Sequence, residues 1–454
     1  MDWLSLSEVA DMTGGTLTGS GSRTVRRISK DTRTLVPGDL YLALRGEAHD
    51  GNLYARAAIE KGAAAAILDR PDAAGELPQD FPVIIVPDSL TALQRMASAW
   101  RDRLAIKVAC ITGSSGKTST KEFTAAVLSV RYRVTKTEGN LNNHIGLPLS
   151  ILAASSADDA AVWELGMNHA GEIAPLADLA RPDLGIITNI GVAHIEYLGS
   201  RQGIAAEKGA LLAALGPNAS AVLPNEDDFA DYLVSRTKAR VIRAGLEGGQ
   251  VMAANISMDV DGCRFTICAE GEQLPAYLPA PGVHMVKNAL LAAATGLEFG
   301  LSLEECVEGL ATARLTGGRL TRKMIREVTV LDDTYNANPD SMKAALATLA
   351  ALPGKGKRVA VLGRMGELGE HAEEGYRTVG TTAANTVQTL IAVGPETAPM
   401  KEAARSGGMS DLHTVESPEE AAALLRQILG PGDIVLVKGS RAARMERVIQ
   451  SFEN

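Results

Sequence analysis

Cysteine is scarce: the 454 residues hold four, Cys110, Cys263, Cys268 and Cys306. No two form a C-x-x-C pair and none has a histidine at zinc-finger spacing, so buried, reduced thiols are expected. No run of ~18 apolar residues occurs, so no membrane span is expected. Met1-Asp2-Trp3-Leu4-Ser5 has neither a basic n-region nor an apolar h-region, so no secretory signal is visible and a cytoplasmic location is expected. Basic residues are not in excess: 45 Lys+Arg against 54 Asp+Glu leave a net charge of −9, which argues against a general nucleic-acid binder. No repeat or low-complexity segment stands out.

What is present suffices for about three domains, and a 46% hydrophobic content can build their cores. Residues 1–103 mix short strands and helices. Leu40 to Leu44, Ala65 to Leu68 and Val83 to Val86 read as strands, Ala55 to Ala66 as helix-like, and Leu90 to Leu104 as an amphipathic helix. Residues 104–315 alternate strands and helices, which implies a parallel sheet covered on both faces. Within them Val251 to Cys268 alternates apolar and polar residues as antiparallel strands do, and helices are expected over Val286 to Gly300 and Leu303 to Ala311. The pattern restarts after Thr316-Gly317-Gly318-Arg319. Strands at Val328 to Asp333, Arg358 to Gly363, Thr389 to Val393 and Ile434 to Val437, a helix at Ser341 to Ala350 and a last helix through Arg441 to Phe452 make 316–454 a third α/β domain.

The most informative segment is Ile111-Thr112-Gly113-Ser114-Ser115-Gly116-Lys117-Thr118-Ser119-Thr120. Lys107 to Ile111 reads as a buried parallel strand, and Phe123, Ala126, Val127 and Val130 recur at helical spacing after it. Two glycines and a Lys-Thr pair between a strand and a helix form a phosphate-binding loop. Glycine lets backbone N–H groups approach phosphate oxygens, the helix N-terminus adds positive potential, Lys117 adds a full charge, and the Thr118 hydroxyl can hold Mg²⁺. The strict G-x-x-x-x-G-K-[ST] spacing wants glycine at Ile111, whereas Gly113 stands two positions late.

Other polar residues sit at strand ends. Glu164 follows Ala161-Val162-Trp163, where a carboxylate suits Mg²⁺ or is an ordinary strand-end charge. His194, in the transition from Ile187 to Glu196, suits a second Mg²⁺, a phosphate or a structural role. Lys208 lies on an expected helix and reads, by itself, as a solvated lysine. His284 and Asn288 are four apart and share a helix face. Asp333 to Ser341 is a polar loop, with a helix N-cap expected at Asp340 or Ser341, whose asparagines and tyrosine also suit a nucleotide base. Lys438-Gly439-Ser440-Arg441 follows the last strong strand and could clamp a carboxylate or phosphate, or cap a helix.

The order of these segments resembles the Mur ligase family, whose phosphate loop has the form Thr-Gly-x-x-Gly-Lys-Thr and so accounts for the missing glycine at Ile111. The resemblance spans essentially the whole chain. It is carried further by Thr137-Glu138-Gly139-Asn140-Leu141-Asn142-Asn143-His144-Ile145-Gly146-Leu147-Pro148, by Glu164 to Asn168, by Tyr335-Asn336-Ala337-Asn338-Pro339, and by Leu362-Gly363-Arg364-Met365-Gly366-Glu367-Leu368-Gly369. Asp31-Thr32-Arg33 and the stretch from Pro37-Gly38-Asp39 to Gly51 also fit. Arg364 stands where an acid is common and Asn52 where a histidine is common, changes that bear on fine specificity.

The resemblance implies three domains: an N-terminal one for a UDP-sugar, a central ATPase domain, and a C-terminal Rossmann-like one for the incoming amine. The segments are most similar to the branch that joins D-alanyl-D-alanine to UDP-N-acetylmuramoyl-tripeptide, through an acyl phosphate formed with ATP. The resemblance places ATP on Gly113, Ser114, Ser115, Gly116, Lys117, Thr118, Ser119, Asn288, Arg319, Asn336 and Asn338. It places Mg²⁺ on Thr118, Glu164, His194 and, if carbamylated, Lys208. Lys117, His194 and Lys208 are then the expected catalytic set. Asp31, Thr32, Arg33, Arg45, Gly46 and Asp50 are implied for the UDP-sugar. Thr137, Asn140, Asn142 and Asn143 are implied for the muramoyl end or the acyl phosphate, and Lys438, Ser440 and Arg441 for the other substrate. A monomer is expected. Two alternatives stay open: a relative adding one amino acid, and a nucleotide-dependent regulatory protein that makes no bond.

Overall fold

The computed structural model describes residues 1–454. The chain divides into two compact units. One comprises Met1–Cys110, Tyr132–Met167 and Glu172–Asp183; the other comprises Ile111–Arg131, Asn168–Gly171 and Leu184–Asn454. The division falls inside the strand Lys107–Thr112.

In the first unit a five-stranded sheet runs in the order Thr16–Thr18, Val83–Ile85, Ala65–Leu68, Leu40–Leu42, Ile28–Ser29. Only the Thr16–Thr18 edge is antiparallel. Its central strands are apolar throughout because both faces are covered. The expected helix from Ala55 to Ala66 is shorter, Ala55–Glu60. Gly62, at φ +89, ends it, and the chain is free to enter the strand at Ala65. The helix Ser89–Arg103 starts where the Asp88 carboxylate accepts from Thr91 N. Its far end is fastened to the rest of the unit: Trp100 Nε1 donates to the Ala154 carbonyl at 3.0 Å and Arg101 Nε to that of Ala180 at 2.8 Å. The parallel pair Val134–Lys136 and Ala160–Glu164 belongs to this unit too.

In the second unit Leu184–Ile187, Ser220–Pro224 and Arg240–Gly245 are parallel neighbours, and Val251–Asp259 pairs in parallel with the last of them. Gly262–Ala269 and Glu272–Leu278 then return as antiparallel strands, as the alternation predicts. The helices Val283–Glu298 and Leu303–Thr312 follow; both pack against Lys117–Leu128, the helix after the phosphate loop.

The same unit holds a six-stranded sheet ordered Thr321–Ile325, Val328–Asp333, Ile434–Lys438, Arg358–Leu362, Thr389–Val393, Leu412–Val415. All its pairs but the first are parallel. Val330, Val359, Val361, Ile391, Val435 and Val437 form its core with Phe452. The last helix is not continuous. A single turn, Arg441–Ala443, stops at Arg444 in the left-handed region (φ 50), and the helix proper is Glu446–Glu453. Three thiols are buried, whereas Cys268 is half-buried; none is bonded.

Candidate nucleotide site

The phosphate loop is shaped by a second loop, Thr188 to Gly191. Gly113 has φ +155, and a Cβ there would lie 1.8 Å from Thr188 Oγ1, so no other residue fits. Ser114 N donates to the Asn189 carbonyl at 3.0 Å, and Gly191 N donates to Ser114 Oγ at 2.9 Å. Ser115 N donates to Asn189 Oδ1 at 3.0 Å, and Thr188 Oγ1 donates to the Ser115 carbonyl at 2.6 Å. Gly116, at φ +80, begins the helix Lys117–Leu128 without a side-chain cap. Buried Asn288 lies flat on it: a Cβ at Gly116 would be 2.8 Å from both amide atoms. A helix that starts on glycine with no capping side chain brings its positive end against whatever anion sits at the loop. The loop, the lysine beside it and the lack of a filling side chain fit a nucleotide's phosphates.

Lys117 Nζ donates to the Gly113 carbonyl at 2.7 Å, which folds it over the loop. Thr118 Oγ1 accepts from Arg319 Nη2 at 3.1 Å, and the Arg319 guanidinium stacks 3.8 Å above the Tyr335 ring. Asn338 Nδ2 donates to Ser115 Oγ at 3.1 Å, and Val192 N donates to Asp340 Oδ2 at 3.1 Å. Segments beyond residue 316 therefore touch the phosphate loop directly. Asn338, rather than Asp340 or Ser341, caps the helix Pro339–Ala351, through a reciprocal bond with Ser341. Asn336 turns its amide oxygen to Ala337 N.

Lys208 corrects its sequence reading, since it is buried rather than solvated. It occupies the face of the helix Arg201–Ala213 that Ile204, Leu211 and Leu212 bury, a signal the 3.6-residue period holds. Burial, then the nearby Lys117 charge, pull its pKa well below the usual lysine value, against the pull of Glu207. His194, at φ 65, puts Nδ1 2.6 Å from Glu367 Oε2, with the carboxylate off the ring N–H direction. Glu367 was quoted in the sequence only as part of a segment, and nothing in its spacing pairs it with a histidine 173 positions away (194 to 367). Spacing gives no sign of Asn189 or Asp227 either, and marks Asp340 only as a cap candidate; Asp227 accepts from Ile190 N and so holds the second loop.

In the first unit Glu164 ends its strand buried. Its N–H donates to Thr137 Oγ1 at 2.9 Å, and Asn142 Nδ2 donates to its Oε1 at 2.8 Å. Thr137 and Asn142 thus hold Glu164. Asn143 Oδ1 accepts from Ile145 and Gly146 N instead, and Asn140 is exposed. Asp31 and Arg33 form a bidentate pair at the surface, which takes the Asp31 carboxyl to about 2; Thr32 lies between them. Arg45 pairs with Asp69 at 3.0 Å and bridges to Asp50 across the turn that holds Gly46. Asn52 is buried beneath that turn, and its amide donates to Asp50 at 2.7 Å and to Asp69 at 2.8 Å. It acts as a local bridge between two carboxylates.

At the end of the strand Ile434–Lys438 the expected clamp is only partly open. Lys438 is buried, with Nζ 2.6 Å from Asp333 Oδ2 and donating to the Asn336 carbonyl at 2.9 Å. Its charge is therefore already matched. Ser440 Oγ is buried with no partner, whereas Arg441 is exposed. Arg364 lies 3.8 Å from Glu396.

No three His, Cys, Asp or Glu side chains converge into a metal cage. Mg²⁺ needs none, because it keeps several waters and is held by one or two protein oxygens plus substrate phosphates. The oxygen of Thr118, in the first turn of the helix Lys117–Leu128, and the imidazole of His194 fit that kind of site.

A cradle for triphosphate, a parallel-sheet core behind it and a second α/β lobe reaching into it define a nucleotide-dependent ligase architecture. Three family models match: the Mur ligase family catalytic domain over residues 24–101, the Mur ligase middle domain over 111–296, and the Mur ligase glutamate ligase domain over 318–441. The chain belongs to the Mur ligase family. Among its relatives are the UDP-N-acetylmuramoyl-tripeptide–D-alanyl-D-alanine ligases of Bacillus subtilis and Escherichia coli, each 35% identical over 99% of this chain and 98% of the relative. That of Synechocystis is 40% identical over 94% and 92%. The crystal structure of MurF from Acinetobacter baumannii superimposes with a TM-score of 0.90 at 32% identity, covering 100% of this chain and 99% of the other. MurF from Thermotoga maritima in complex with ADP does so at 0.83 and 28%, covering 94% and 97%. The fold is that of a three-domain α/β Mur ligase.

Proposed function

We propose that this chain is an ATP-dependent peptide ligase that joins D-alanyl-D-alanine to UDP-N-acetylmuramoyl-tripeptide, in peptidoglycan synthesis. The observation that carries the reading is the reach of Arg319 and Asn338 to Thr118 and Ser115. Residues from the segment assigned to the amine thereby touch the cradle assigned to ATP. The division of labour follows the sequence: 1–103 for the UDP-sugar, 104–315 for ATP, 316–454 for the dipeptide. The nucleotides place the enzyme in the cytoplasm, and no helix is long and apolar enough to cross a membrane. A monomer suffices, since every group named belongs to one chain.

The tripeptide's carboxylate and the triphosphate are both anionic and repel. Lys117, once its amine leaves the Gly113 carbonyl for a phosphate oxygen, supplies positive charge where negative charge builds up. Arg319, fixed by stacking on Tyr335, supplies a second cation at Thr118. Gly113, Ser114, Ser115, Gly116 and Ser119 offer backbone and hydroxyl donors, and Asn288 closes the cradle over Gly116. Bound Mg²⁺ would neutralise phosphate charge. Thr118 and His194, both in the second unit, are the proposed donors to it. Lys208, whose lowered pKa favours the neutral amine, can add CO₂: the nitrogen lone pair forms the C–N bond, a proton leaves, and an anionic carbamate replaces the amine. A carboxylate oxygen bonds to the γ-phosphorus, the bond from that phosphorus to the β-phosphate oxygen breaks, ADP leaves, and an acyl phosphate results. The dipeptide amine then attacks its carbonyl carbon, the C–O bond to phosphate breaks, and phosphate and a proton are released.

Phosphate release measured with ATP, Mg²⁺ and UDP-N-acetylmuramoyl-tripeptide, adding D-alanyl-D-alanine or single amino acids in turn, tests the reading. Release that needs the dipeptide supports it. Release triggered only by a single amino acid would assign the chain to another branch, and release needing neither substrate would point to the regulatory alternative.

A further inference from the structure

Two residues other than glycine take up left-handed backbone and face each other in the second unit: His194 at φ 65 and Glu367 at φ 61. That region is sparsely populated for L-residues and persists where the surroundings enforce it. Here they do. Glu196 N donates to the Glu367 carbonyl at 3.4 Å, and a Cβ on Gly369 would lie 2.9 Å from Glu196 Cγ, so the two turns are pressed together. The side chains meet at 2.6 Å, Nδ1 to Oε2. The His194 turn lies in the stretch matched by the middle-domain model and Glu367 in the stretch matched by the glutamate-ligase model.

We propose that Glu367 is a positioning residue that fixes the His194 imidazole through Nδ1 and leaves Nε2 as the ring nitrogen facing phosphate or metal. The histidine is in place only while the C-terminal lobe is docked, so docking and completion of the site become one event. The inference rests on the proposed role of His194. A carboxylate packed against the far nitrogen of a functional histidine fixes the orientation of its ring, and loss of such a partner commonly costs 10- to 100-fold in activity or affinity.

The test uses the full chain with Glu367→Ala, Glu367→Gln and His194→Ala, measuring kcat, KM for ATP, and hydrogen exchange of residues 192–200 without nucleotide. Glu367→Ala should lower kcat about 10- to 100-fold with KM for ATP unchanged, and should speed exchange over 192–200. Glu367→Gln, which keeps the shape and an oxygen in contact with the ring but removes the charge, should recover part of both. Should the alanine variant misfold, the glutamine variant carries the test: it must fall between wild type and His194→Ala in kcat. An inactive His194→Ala beside a Glu367→Ala of wild-type kcat and exchange overturns the inference and leaves the role of His194 standing. A fully active His194→Ala removes the role itself.

Discussion

Three residues show how position decides what a side chain can do. Lys117 lies at the start of a helix beside a glycine loop, where the proposed reading has it supply a cation to the phosphates. Replacing it by alanine should cut phosphate release at least ~10²-fold while circular dichroism stays unchanged. Lys208 carries the same amine but is buried, and burial favours the neutral form that reacts with CO₂. With ¹³C-bicarbonate the wild-type chain should show one carbamate resonance that Lys208→Met lacks; no resonance in the wild type would remove the carbamate. His284 is half-buried, and desolvation takes its pKa down to about 4, with Asp333 raising it and Lys438 lowering it. Between pH ~6.5 and about 4 the unfolded chain binds the proton that folded His284 refuses, so stability from this residue falls as pH falls through that window. Denaturant midpoints across the window should flatten in His284→Gln.

At the scale of elements, much was legible. Strands buried on both faces appear as mainly apolar runs, so Lys107–Thr112, Val328–Asp333 and Ile434–Lys438 could be placed from sequence, and alternation gave the antiparallel pair after Val251. Ends were harder. Gly62 and Arg444 stop helices by left-handed backbone, which composition hardly announces when the residue is arginine. The site was legible where its residues are neighbours in sequence, as from Gly113 to Thr118. It was illegible where the contact spans hundreds of residues: Arg319 to Thr118, Asn338 to Ser115, Glu367 to His194. Spacing encodes faces of helices and strands, not the meeting of distant loops. Asn338 makes the point testable, since it both caps a helix and touches Ser115. Asn338→Ala should lose about 1 kcal/mol of stability and weaken ATP binding, whereas Asn338→Ser should keep the cap and lose only the reach to Ser115. Thermal melts and KM for ATP separate the two effects.

For the whole molecule, the second unit joins the nucleotide cradle to the lobe proposed to hold the incoming amine. Polar contacts among its joints are Arg319 on Thr118, Asn338 on Ser115, Asp340 on Val192, and Glu367 on His194. Contacts of this kind can part and re-form as substrates enter and product leaves, which suits a ligase that must exclude water from an acyl phosphate and then admit an amine. Mass spectrometry of the nucleotide-linked product tests that account most directly, in a mixture of ATP, Mg²⁺, UDP-N-acetylmuramoyl-tripeptide and D-alanyl-D-alanine. The prediction is a product heavier by one dipeptide less water, with one ADP and one phosphate for each bond made. ATP consumed while the UDP-sugar keeps its mass, or gains a single amino acid in place of the dipeptide, would contradict it.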